Sequence, residues 1–289
     1  MMTTAAFLLT QGLNALALAA LLFLISVGLT LIFGIMRIVN FAHGALYMLG
    51  AYVGFTIASR SDYWAALTLA PLVIAALGFG LELSVLRPLY RRPHGAFLLV
   101  TFGLALVIGE VIRLVWGPEP RRLATPAGLG GSVLLLGEAF PVYRLFLAGV
   151  GAAVALALWQ FMERTRMGLL IRATAQNAEM VHALGVNVRW VRAGVFALGC
   201  GLAALGGVMA APMITAYMGM GVNVIVDAFV IVIIGGMGSF VGSVIGSLLI
   251  GVVQTFGNFY LPDFALAATY LAMIAVLVLR PRGLFGREE

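Results

Sequence analysis

The sequence predicts an all-α fold: a polytopic helical membrane protein with about nine transmembrane segments, eight to ten being the range. Three observations carry this. The chain of 289 residues is 63% hydrophobic and only 10% charged, with a mean hydropathy of +1.10, whereas soluble domains carry about a quarter charged residues. Its apolar runs repeatedly reach the roughly 20 residues that a helix needs to cross a bilayer. The runs are continuous rather than alternating, which excludes the strands of a membrane barrel.

In chain order, the first run extends from Phe7 to Phe33, with no basic residue ahead of it, and is too long for a signal-peptide core; it reads as a retained span. A short glycine-bearing connection, Gly34 to Gly44, leads to a second run ending near Ser59. The third run, Trp64 to Leu86, stops in Arg87-Pro88-Leu89-Tyr90-Arg91-Arg92-Pro93, where two prolines break the helix at a charged interface. The fourth, Phe97 to Trp116, opens into a glycine- and proline-rich loop, Gly117 to Pro141, and the fifth spans Tyr143 to Phe161. Beyond Trp190 one run continues to Met213. Val222 to Phe256 holds a single charge, Asp227, and is broken by Gly235-Gly236-Met237-Gly238-Ser239 and Gly242. It is too long for one span, so the glycines mark a tight hairpin between two. The last run is Phe264 to Leu279. No composition change suggests a soluble domain, so residues 1–289 form one membrane domain.

All 17 basic residues are arginine. A lysine-free chain contains no P-loop, because that motif needs its lysine on the nucleotide phosphates. Nucleic acid is not needed to explain the basic balance, since cytoplasmic loops of membrane proteins are ordinarily basic. The arginines also set the orientation. With the C-terminus and the polar stretch after Arg164 inside, Arg37, Arg87, Arg91, Arg92, Arg164, Arg166, Arg172, Arg189, Arg192, Arg280, Arg282 and Arg287 are cytoplasmic. Arg60, Arg113, Arg121, Arg122 and Arg144 remain outside, and the bias favours this orientation. The cytoplasmic loop is then about 163–189 and the large external loop about 117–142.

The stretch Arg164 to Arg192 keeps a helical spacing: Ala173, Met180 and Leu184 share one face, Arg172, Glu179 and His182 another, and Gly185 follows as a stop. An amphipathic helix in a membrane loop rests either on lipid headgroups or in the groove of a soluble partner.

Polar groups inside hydrocarbon are costly and by default functional. Asn40, His43, Glu110 and Asp227 are therefore candidates for lining a translocation route. Glu110 is the deepest acid, although Arg113 shares its face and can pair with it. Asp227 is nearer the outer end of its span, and Glu82, near an inner end, can reach the headgroups. No second histidine is spaced to share a metal with His43, so no metal site is expected. Cys200, the one cysteine, lies in an apolar run and reads as a packing residue. Gly238, Gly242 and Gly246 recur every four residues and give a smooth face for close helix packing, within the subunit or against a second copy. No nucleophile, base and orienter come together, so no enzyme is suggested.

At these residues a family becomes recognisable. Gly28-Leu29-Thr30-Leu31-Ile32-Phe33-Gly34, with Val39-Asn40-Phe41-Ala42-His43-Gly44 and Leu49-Gly50-Ala51-Tyr52, resembles the N-terminal signature of the branched-chain amino-acid type of bacterial ATP-binding-cassette (ABC) permease. Thr165-Arg166-Met167-Gly168, Arg172 to Asn177 and Leu184 to Asn187 resemble its coupling loop. Gly235 to Ser239 with Gly242 resembles its glycine hairpin, and Arg280 to Gly286 its C-terminal segment. The blocks occur in order over nearly the full length.

The resemblance implies a subunit of a machine: a second, related permease, two cytoplasmic ATPases that use ATP and magnesium, and a periplasmic solute-binding protein, with no cofactor in this chain. It implies the bacterial inner membrane and a cytoplasmic coupling helix, with Arg172, Ala173, Gln176, Asn177, Glu179, Met180, Leu184 and Gly185 as the ATPase contact. Two positions depart from the family pattern: Asp227 stands where a basic or neutral group is common, and Gln254 where an acid is. The solute is then a branched-chain or other hydrophobic amino acid, or an aromatic acid or small amide such as urea. A proton-coupled secondary carrier using Glu110 or Asp227, and a passive channel, are the rival readings from other classes.

Overall fold

The computed structural model describes residues 4–286, so Arg287 of the cytoplasmic set lies outside the described residues. Its helices are α1 (Thr4–Met36), α2 (Ala42–Arg60), α3 (Tyr63–Leu81), α4 (His94–Trp116), α5 (Val142–Arg164), α6 (Arg166–Gln176), α7 (Ala178–Ala183), α8 (Val188–Ile214), α9 (Met220–Gly235), α10 (Phe240–Tyr260) and α11 (Ala265–Leu279). Local chemistry sets several boundaries. Asp62 caps α3, its Oδ1 accepting the Ala65 amide at 2.7 Å, and Ser239 caps α10 by accepting from Gly242 at 3.1 Å. His94 begins α4.

Among the described residues, seven segments are long and apolar enough to cross a membrane: α1, Tyr63–Tyr90, Gly95–Trp116, α5, α8, α10 and Pro262–Leu279. That is fewer than the nine apolar runs. Two runs form helices of another kind. At 16 residues, α9 is about 24 Å long, short of the roughly 30 Å hydrocarbon core. The other, α2, carries His43, two tyrosines and several small residues and packs among α3, α4, α8 and α9. A helix enclosed by protein does not need a lipid-like surface.

The centre of the bundle is α1, which packs on α5, α8, α9 and α10, while α8 also packs on α2 and α3. Leu24, Ile25, Ile32, Leu46, Tyr52, Phe196 and Cys200 are fully buried there. The crossing of α1 and α8 is made through a glycine pair. A methyl on Gly28 would lie 2.7 Å from the Gly199 carbonyl oxygen, and one on Gly199 would lie 2.9 Å from that of Gly28. Neither position has room for a side chain.

The all-α expectation needs one addition. The loop after α4 contains a hairpin, β1 (Ser132–Leu135) and β2 (Glu138–Pro141), antiparallel with Leu135 opposite Glu138. Leu136 and Gly137 both take positive φ, 49° and 86°, the geometry that two-residue turns need to match strand twist. Leu134 and Leu136 stand exposed at its tip.

The glycine break is a hairpin, as expected. Gly236 and Gly238 have φ of 96° and 82°, which other residues rarely adopt. Gly238 therefore belongs to the turn, against Gly34, rather than to the helix with Gly242 and Gly246. Gly242 meets the backbone of Gly235 and Gly246 that of Ile231, so this smooth face is filled by α9 of the same chain. The C-terminal segment folds onto the same corner. Leu284 donates its amide to the Ile234 carbonyl at 2.8 Å and Phe285 to that of Gly235 at 3.1 Å, satisfying acceptors that a helix end leaves open.

Candidate functional site

The polar stretch after α5 folds as two helices, not one. Thr165 caps α6, its Oγ1 accepting from the Gly168 amide at 3.0 Å, and Gly168, Ile171 and Thr174 are buried against the bundle. Asn177 then takes extended backbone, φ −149° and ψ 94°, and its Oδ1 caps α7 by accepting from Met180 at 2.9 Å. The common face of Ala173, Met180 and Leu184 does not survive this break. Ala173 is half-buried, while Met180 and Leu184 are exposed at 59% and 76%. Val181 is the buried anchor of α7.

Polar contacts hold the rest of the stretch. Arg172 pairs with Glu163 at 3.4 Å, and Gln176, Glu179 and His182 are exposed. Gly185, at φ 87°, ends α7 as the spacing predicted. Its amide donates to His182 O, and Val186 reaches back to Val181 O, the paired bonds of a Schellman stop. Asn187 caps α8. His182, Gly185, Val186, Asn187, Val188, Arg189 and Arg192 line an open groove of about 580 Å³.

This surface is tied to the membrane helices by a cluster at the first turn of α8. Glu82 is fully buried rather than reaching outward; it accepts from Arg87 at 3.2 Å and from the Tyr90 hydroxyl at 2.9 Å. The Arg192 guanidinium lies 4.9 Å from the Tyr90 ring centre, and that of Arg87 lies 5.4 Å from Trp190. Trp190 stacks on Phe79 at 5.8 Å. The corner after α3 is thereby clamped to the segment that follows α7.

The route candidates are dispersed. Asn40 and His43 are fully buried. Asn40 Oδ1 accepts from Ala42 at 3.1 Å, and His43 Nε2 lies 3.0 Å from the Ile25 carbonyl oxygen, so that nitrogen carries the proton. Asn40 thus holds the start of α2, and His43 ties α2 to α1. Glu110 does pair with Arg113, at 2.9 Å, and both are 53% exposed on the outer surface of α4. Asp227 is half-buried on α9 and accepts from Gln254 of α10 at 3.0 Å.

Comparison with known proteins decides the family. Residues 12–279 match the model of the branched-chain amino acid transport system permease component. The chain belongs to this permease family. It is 29% identical to the high-affinity branched-chain amino acid transport system permease protein LivH of Salmonella typhimurium, over 98% of this chain and 97% of that one. It is 28% identical to the corresponding protein BraD of Pseudomonas aeruginosa, over 97% and 96%. Among solved structures, PsaBC from Streptococcus pneumoniae in complex with Fab is similar over 92% of this chain and 89% of that chain, with 16% identity and a TM-score of 0.46. The protein is thus a multi-pass membrane permease of ABC type, and the relatives are named as transport proteins rather than enzymes.

Sequence reading missed two features of this permease. The clamp of Glu82, Arg87, Tyr90, Trp190 and Arg192 joins segments about a hundred residues apart in the sequence, which no local pattern connects. The break at Asn177 did carry a signal: asparagine is a favoured N-cap, and Glu179 follows in the first turn of α7.

Proposed function

We propose that this permease is the transmembrane subunit of a bacterial inner-membrane ABC importer. It moves a branched-chain or other hydrophobic amino acid, or a related small organic solute, by alternating access. Two cytoplasmic ATPases supply the energy with ATP and magnesium, a second related permease completes the pathway, and a periplasmic binding protein delivers the solute. The arginine-rich end and the C-terminus face the cytoplasm. In this reading α2 and α9 count as crossings with the seven longer helices, and residues 1–289 form one permease domain.

The observation that carries the reading is the exposed Met180 on α7 and Leu184 at its C-cap, beside helices anchored to the bundle. Exposed apolar side chains on an otherwise polar segment fit a protein partner, and the clamp at Arg192 provides the transmission. A solute moves uphill only when the two states of the permease differ in affinity and access, so ATPase closure must reach the helices.

The test is affinity purification from native membranes, mass spectrometry of what accompanies the permease, and uptake in liposomes. Recovery of ATPases and a second permease with ATP-dependent uptake supports the reading. A protein recovered alone and driven by a proton gradient overturns it.

A further inference from the structure

Antiparallel pairing of α9 and α10 across the glycine hairpin sets the first half of α9 beside the last half of α10. Asn223 and Asp227 are four residues apart on one helix, Gln254 and Asn258 four apart on the other, so each pair shares a face. Asp227 and Gln254, half-buried, are joined at 3.0 Å, and Asn223 and Asn258 are exposed beside them. The result is a polar ladder shared by α9 and α10, at the end away from the hairpin.

The hydrogen bonds in the ladder have a direction. Gln254 Nε2 donates to Asp227 Oδ1, Asn258 Nδ2 donates to the Gln254 backbone carbonyl at 2.7 Å, and Asn223 Nδ2 donates to the Tyr217 hydroxyl at 2.9 Å. A carboxylate and a carbonyl only accept, which fixes the orientation of the first two amides. Gln254 and Asn258 thus spend a donor within the protein and keep an oxygen to offer, and the Asn223 amide stands beside them, paired with a hydroxyl that can donate or accept. Asp227 adds its second carboxylate oxygen, and none of the arginine ion pairs among the described residues includes it. In the importer reading α9 counts as a crossing, and an acid there without a basic partner is matched by a cation.

We propose that Asn223, Asp227, Gln254 and Asn258 form a subsite for the cationic nitrogen of a zwitterionic solute, the ammonium group of an amino acid. An ammonium has three donors and no acceptor, and this set offers it acceptor oxygens with one formal negative charge. Within the importer reading, on which this rests, the subsite faces the periplasmic end of the route and selects amino acids over carboxylic acids and uncharged amides.

The test uses the complete assembly in sealed, right-side-out membrane vesicles. Cysteines introduced as Asn223→Cys or Asn258→Cys can be read directly, because native Cys200 is fully buried. Relative to their rates with a free thiol, trimethylammonium-ethyl methanethiosulfonate should label these cysteines about tenfold or more faster than the sulfonate-ethyl reagent. Adding Asp227→Asn should remove the preference. Unreactive cysteines, or equal rates with both reagents, overturn the subsite.

In parallel, ATP-driven uptake is measured from a mixture of the standard amino acids, urea and aromatic carboxylic acids, read by mass spectrometry. Amino-acid uptake should fall about tenfold or more in Asp227→Asn and return in Asp227→Glu. Wild-type import of only the uncharged or anionic solutes, or undiminished amino-acid import by Asp227→Asn, overturns the proposal. An assembly that takes up nothing with ATP refutes the importer reading instead.

Discussion

Leu284 donates its amide to the carbonyl oxygen of Ile234 at 2.8 Å, so the C-terminal segment closes the end of α9. Gly236, at φ 96°, sits directly against the backbone of Phe285 and Gly286. Gly236→Ala should therefore cost about 1–2 kcal/mol for the left-handed backbone alone, with the clash added. Thermal unfolding of the purified protein in detergent reads this as a lower midpoint, and an unchanged midpoint would refute the docking.

The Gly28 and Gly199 crossing gives a second prediction. Gly199→Ala places a methyl 2.9 Å from the Gly28 carbonyl oxygen, and overpacking of this kind costs about 1–3 kcal/mol. Gly149→Ala, where a methyl would meet nothing within 4 Å, should leave the unfolding midpoint unchanged or slightly raised. Equal effects at the two positions would contradict the packing described.

At the arginine-rich end, Met180→Glu with Leu184→Glu should lower ATP-driven uptake by about tenfold or more, since a charge buried unpaired at an interface is strongly unfavourable. Membrane insertion and the unfolding midpoint should stay at wild-type values, because both side chains are exposed in the permease itself. Normal uptake by the double variant would remove α7 from the coupling surface.

Glu82→Gln tests the clamp. The substitution leaves Arg87 without its carboxylate and changes the acceptor of Tyr90; loss of a buried charged partner costs about 1–3 kcal/mol or more. A double-mutant cycle with Tyr90→Phe should show coupling between the two, whereas additive effects would mean that the hydroxyl and carboxylate act separately.

Glu110 offers the contrast between an importer and a proton carrier. Its ion pair with Arg113 is 53% exposed on both sides, outside the helix packing. The neutral double variant Glu110→Gln with Arg113→Gln should retain ATP-driven uptake at the wild-type level, because the pair is exposed outside the helix packing and its two charges are removed together. Collapse of transport in that variant would restore Glu110 as a proton site.

What the sequence disclosed followed how local each signal was. The apolar runs coincide with α1 to α5 and α8 to α11, because their length and composition are continuous along the chain, whereas seven segments among the described residues are long and apolar enough to cross a membrane. Gly185 and the glycine hairpin were legible because a stop or a turn needs a particular backbone at one residue. The pairing of Asp227 with Gln254 was not legible, although both were noticed as departures from the family pattern. Their separation of 27 residues becomes contact only once α9 and α10 fold back on each other. The burial of His43 was hidden for a related reason: its polarity is visible in the sequence, but its contact with the Ile25 carbonyl arises only where α2 meets α1.

The length and enclosure of α1 bear on how the protein is made. Its 33 residues span about 50 Å, and it is the most enclosed of the seven spans. It also leaves the ribosome well before α8 and α10, its principal neighbours, have been synthesised. Early in biogenesis the surface bearing Gly28, Ser26 and Thr30 must lie against lipid or an insertion chaperone. Thr30 meets Ser243 at 2.6 Å only when α10 arrives. α1 is thus among the last helices to acquire its native surroundings, and premature termination after α8 would leave its face bearing Thr30 open to quality-control proteolysis.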